Sequence, residues 1–183
     1  KCCDVCPTVA ILKEDETKHL VFSHVDCINC GECVSVCPSG AIDYSHMPQN
    51  AFFDIAKMYK NKSILIVPSK IELENLNIEL PKNVVPFAIE GEKFLSEAHL
   101  LTMLQESGSN LVFYTSAISR VTKDAISILN QIYNFKFEKQ AIFIAKNEVE
   151  LKEVIKKIEQ IQGSQHSISQ YSMPKREIFA KRL

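Results

Sequence analysis

The chain has 183 residues, 46% apolar and 23% charged, with a formal net charge of −1, five glycines, no tryptophan and seven cysteines. That balance belongs to a folded globular chain and excludes collagen, coiled coil and disorder as starting points. The odd cysteine count excludes a closed set of disulfides, and five dispersed glycines leave no glycine-rich phosphate loop.

The charge is unevenly spread. Residues 1–47 carry three Lys against seven Asp/Glu, a net −4; residues 48–162 carry fourteen of each sign; residues 163–183 carry four basic and one acidic, a net +3. Phosphate binding needs Lys and Arg, so the acidic, cysteine-rich end is a poor nucleic-acid surface, and a basic partner protein suits it better. No apolar run approaches the ~20 residues of a membrane span, and no signal-peptide pattern is visible at Lys1.

Six of the seven cysteines lie before residue 34. The chain opens on Cys2-Cys3-Asp4-Val5-Cys6-Pro7. Short apolar runs at 8–12 and 20–23 then read as hairpin strands around the polar turn 13–18. Next comes the sharpest signal, Cys27-Ile-Asn-Cys30-Gly-Glu-Cys33-Val-Ser-Val-Cys37-Pro38. Thiolates at intervals of three can wrap one face of a metal cluster, and Gly31 lets the backbone turn tightly and expose its amides. Soft thiolates select iron–sulfur clusters, zinc or Cu(I). Zinc usually takes two separated C-x2-C knuckles, which four cysteines within eleven residues do not supply. The stretch from Cys33 to Ile42 repeats that from Cys2 to Ile11: Cys2 answers to Cys33, Cys6-Pro7 to Cys37-Pro38, and Ala10-Ile11 to Ala41-Ile42. Cys3 answers to Val34, a packing position. Tyr44 reads equally as a shield over a metal site or as packing, and His24 and His46 as surface residues.

From residue 48 the pattern changes. Runs at 63–67, 84–89, 111–115 and 141–145 are short, β-branched or aromatic and apolar on both faces, as in strands of a parallel sheet buried on both sides. Helical spacing appears between them: around Phe53–Tyr59, from Phe94 to Leu104 with Gly108 as stop, from Val121 to Tyr133, and from Val149 to Ile161 with Asn147 and Glu150 as a capping box and Gly163 as stop. On this pattern His99 falls on a polar side. A last helix is expected from Lys175 after Pro174. Alternating strands and helices predict a three-layer α/β sandwich with a mainly parallel sheet. No nucleotide-binding loop and no catalytic constellation is visible, so no catalytic residue is assigned. The expected division is an α+β module at 1–47 that holds all the cysteines, the α/β domain at 48–162, and a tail or linker at 163–183.

Residues 1–44 resemble the bacterial-type two-cluster [4Fe–4S] ferredoxins, on the C-x2-C-x2-C-x3-C-P run and the repeat. The resemblance implies that Cys6, Cys27, Cys30 and Cys33 hold one [4Fe–4S] cluster. It implies that Cys2 and Cys37 serve a second, with two further cysteines expected upstream of Lys1. A middle piece of a longer iron–sulfur protein is therefore expected, with further iron–sulfur domains among its partners. The string from Val85 to Gly91, the following helix and Leu111–Tyr114 resemble the small α/β module of hydrogenase and heterodisulfide reductase delta subunits. Those relatives usually carry cysteines where this chain has Phe87, Ala88, Thr115 and Ser116. Together the resemblances imply a cytoplasmic electron-transfer protein or oxidoreductase subunit that passes single electrons to a redox partner. The alternatives are a non-redox interaction module with zinc or no metal, and an oxidoreductase subunit with its own ligand pocket in the α/β domain.

Overall fold

The computed structural model describes residues 1–69, 71, 76–161 and 174–183. The cysteine-rich end folds as α1 (Cys2–Val5), β1 (Ile11–Lys13), β2 (Leu20–Phe22) and α2 (Glu32–Val36). Both helices are about one turn long, too short for a periodic apolar stripe to announce them. Each ends on a Cys-Pro pair with nearly the same backbone: Cys6 at φ −72, ψ 112 and Cys37 at φ −75, ψ 109. Three residues on, Val9 and Gly40 both take a left-handed conformation, φ 57 and φ 72. The internal repeat is thus a repeat of structure. A valine at positive φ is strained, and here it turns the Ala10 amide back onto Cys6 Sγ at 3.2 Å. That wrapping explains why the first hairpin strand begins at Ile11, not at residue 8. The hairpin pairs Ile11 with Phe22, Leu12 with Val21 and Lys13 with Leu20.

The rest of the chain forms α3 (Gln49–Met58), β3 (Ser63–Pro68), β4 (Val84–Ile89), a 3-10 turn (Glu92–Phe94), α4 (Glu97–Ser107), β5 (Leu111–Tyr114), α5 (Arg120–Phe137), β6 (Ile142–Ala145), α6 (Glu148–Ile155) and α7 (Lys175–Arg182). The four strands are parallel throughout, in the order β4-β3-β5-β6. Their runs are apolar on both sides because both faces are covered. Ile64, Ile66, Phe87 and Phe113 pack with α3, α4 and α5, while Leu65, Val67, Val112 and Tyr114 pack with α6 and with Ile78 and Leu80. This is the expected three-layer α/β arrangement. Ser119 caps α5 by accepting from the Thr122 amide at 3.1 Å, and Asn147 caps α6 by accepting from the Glu150 amide at 2.9 Å. Gly108, at φ 66, ends α4.

Two expectations are corrected. The helix after Asn147 stops at Ile155; Ile161 follows an isolated bridge between Gln160 and Ser109, donates its amide to Gly108 at 2.9 Å and packs on the opposite face of the sheet from Leu151. The expected stop at Gly163 lies outside the described residues. His99 is not on a polar face: it is 3% exposed, because α4 is covered by α3, α5 and α7 as well as by the sheet. Its Nδ1 accepts from the Ser96 amide at 3.1 Å, and its ring meets Phe52 edge-on at 4.7 Å. Burial, helped by the nearby Lys175, lowers its pKa to about 3. The unfolded chain therefore takes up a proton between about pH 6.5 and 3 that the folded chain refuses. The contribution of His99 to stability is full above that window and is lost as pH falls through it, by at most about 1.4 kcal/mol per pH unit. His99→Gln should flatten the pH dependence of the urea midpoint between pH 6 and 4; equal slopes for both proteins would contradict this.

The cysteine module sits against the carboxyl end of β4. A Cβ on Gly31 would lie 2.6 Å from Phe94 Cβ, and one on Gly91 would lie 3.1 Å from both the Cys30 carbonyl oxygen and the Tyr44 hydroxyl. Tyr44 stacks on Phe94 with ring centroids 4.8 Å apart and donates to the Asn29 carbonyl at 3.1 Å. The Lys93–Glu32 ion pair at 3.5 Å and a contact of His46 Nδ1 with Glu90 Oε2 at 3.1 Å cross the same seam. Val34 and Tyr44 belong to the main core of the α/β sheet.

Candidate metal centre

Cys6, Cys27, Cys30 and Cys33 line one small pocket, completed by Pro7, Thr8, Ala10, Ile11, Phe22, Ile28 and Gly31. The set draws on two stretches more than twenty residues apart, and the hairpin brings them together: Ile11 and Phe22, cross-strand partners, form part of its wall. The loop from Cys27 to Cys33 turns through two left-handed residues, Asn29 at φ 53 and Gly31 at φ 77. The backbone amides of Val34 and Cys33 act on the Cys33 sulfur, the kind of donor that offsets negative charge there.

The thiols are set unequally. Cys33 is pushed above its ordinary value by burial and by the neighbouring Cys30 and Cys27. Three thiolates crowded this way repel one another, and a cationic core between them relieves the repulsion. Cys6 is pulled below its ordinary value: burial resists, but the amides of Thr8, Ile11 and Ala10 and the Thr8 hydroxyl prevail. Cys37 shows the same device one repeat on. Burial again resists, and the Ser39 hydroxyl with the amides of Ile42, Ala41 and Ser39 brings it to about 7. Amide donors on a ligating sulfur are the outer contacts that tune iron–sulfur centres.

Cys37 does not line this pocket. It is buried and faces a separate cleft shared with Lys1, Ser35, Pro38 and Lys175. Cys2 lines neither the pocket nor that cleft. Cys3 is only partly buried, where a packing role predicts a buried residue. Among the described residues no three His, Cys, Asp or Glu side chains gather as a single metal ion requires.

Sequence reading missed the support beneath the loop. Gly91 closes the Val85–Gly91 string in the sequence, but its use, close approach of the β4 turn to the Cys30 carbonyl, needs the tertiary contact. Phe94, read as the start of a helix, lies in the preceding 3-10 turn and fills the space under Gly31.

Residues 1–41 match the family model described as a 4Fe-4S dicluster domain. No curated protein and no solved structure is matched. The match covers less than a quarter of the chain and identifies its cysteine-rich end as a ferredoxin-type iron–sulfur segment. Among the described residues no helix is long and apolar enough to cross a membrane.

Proposed function

We propose that this chain is an electron-transfer protein, or part of one, in which Cys6, Cys27, Cys30 and Cys33 hold one [4Fe–4S] cluster. Cys37 and Cys2 serve a second, which needs two further thiolates. The observation that carries the reading is the gathering of the four pocket cysteines from separate stretches, beside amide cradles repeated at Cys6 and Cys37. When bound, such a cluster supplies reversible storage of one electron. The chain's own work is ligation, amide donation to the sulfurs and partial exclusion of water by Ile11, Phe22 and Ile28.

The α/β domain (48–162) is the platform. It fixes the cysteine loop through Gly31, Gly91 and Phe94, and it offers Phe87, Ala88, Thr115 and Ser116 where delta-subunit modules usually carry cysteines. It docks the electron carrier on a redox partner, within a cytoplasmic oxidoreductase complex, and does not act as a self-contained enzyme. The acidic cysteine-rich end favours a partner with a basic surface.

An anaerobic redox titration of the reconstituted protein tests this reading. We expect a reversible one-electron couple with a paramagnetic reduced state in the wild type, retained in Cys37→Ala because Cys37 lies outside the pocket. Iron binding with no reversible couple would refute electron transfer.

A further inference from the structure

α7 carries two buried cations with unlike partners. Arg182, 6% exposed, pairs with Glu106 at 2.9 Å and donates to Gln105 at 3.2 Å. Lys175, at the other end, is 5% exposed and donates to the Val34 carbonyl of α2. It forms no ion pair with any Asp or Glu among the described residues. An ammonium taken out of water without a counter-charge is costly. Burial lowers its pKa to about 8, and Cys37, Asp43, Cys33 and Glu97, in that order, act against that lowering. Its place is fixed by the backbone too: the Arg176 amide donates to the Pro38 carbonyl at 3.4 Å, so the start of α7 is tied to the Cys37-Pro38 turn. Lys175 and Cys37 face the same cleft.

We infer that Lys175, held on the carbonyl of Val34 next to Cys33, is a built-in counter-charge for the cluster that Cys33 of α2 helps to hold. This rests on the reading given under Proposed function. A fixed positive charge in a low-dielectric site favours the more negative, reduced form of a nearby centre and so raises its reduction potential. The simpler role, a cap on the last carbonyls of α2, predicts no such effect.

Lys175→Gln separates the two, since it keeps a donor for the Val34 carbonyl and removes the charge. In the reconstituted full chain, followed by potentiometric titration with paramagnetic resonance, Lys175→Gln should lower the midpoint potential. At fixed potential the reduced-to-oxidised ratio should fall about tenfold, which is about 59 mV for one electron. Lys175→Arg, which keeps the charge, should stay close to wild type. If circular dichroism shows that the Gln variant has lost the fold, Lys175→Met carries the same expectation. A Gln variant that is folded, loaded and unshifted would overturn the counter-charge and leave Lys175 as a helix cap. Failure of the wild type to assemble any cluster is a different result and would remove the site reading itself.

Discussion

Cys30→Ala should strip the protein of its intact cluster, and Cys3→Ala should leave it in place. Cys30 lines the pocket with Cys6, Cys27 and Cys33, so alanine there leaves the pocket with three of its four thiolates. Cys3 stands beside Cys2 on α1, outside that pocket. Iron per chain after anaerobic reconstitution should fall from about four to near zero in Cys30→Ala and stay near wild type in Cys3→Ala. Equal losses would mean that the alignment of Cys2 with Cys33 and of Cys6 with Cys37 is wrong.

Gly31→Ala should be among the most damaging single substitutions outside the cysteines. The residue sits at φ 77, and the added Cβ would lie 2.6 Å from Phe94 Cβ and 3.2 Å from Phe94 Cα and N. Backbone atoms cannot step aside as a flexible side chain can. Left-handed strain costs about 1–2 kcal/mol, and overpacking against a fixed neighbour about 1–3 kcal/mol more. Gly40→Ala is the internal control: φ is 72, but the nearest atom is the Gln49 side-chain oxygen at 3.6 Å, so strain alone should apply. In denaturant unfolding Gly31→Ala should be less stable than Gly40→Ala by about 1–3 kcal/mol, and it alone should lose iron on dilution. Equal midpoints would mean that the seam between the cysteine loop and β4 yields more easily than its distances imply.

Legibility in the sequence followed the range of the interactions involved. The cysteine spacing and the repeat could be read because ligation geometry is written within a dozen residues. The strands could be read because burial on both faces leaves short unbroken apolar runs such as 63–67. What stayed hidden depends on contacts between distant segments. Gly91 meeting Cys30, Phe94 filling the space under Gly31 and Tyr44 stacking on Phe94 join positions far apart in the chain. His99 misled for the same reason: one amphipathic stripe predicts one buried face, whereas α4 is enclosed on several. The helix after Asn147 was drawn too long because Ile158 and Ile161 keep helical spacing while serving opposite faces of the sheet.

The most direct test of the central claim is the composition of the bound group. Iron, zinc and acid-labile sulfide should be counted per chain in protein purified and reconstituted without oxygen, for wild type and Cys30→Ala together. About four iron with matching sulfide in the wild type, lost in the variant, is the predicted result; zinc without sulfide would contradict it.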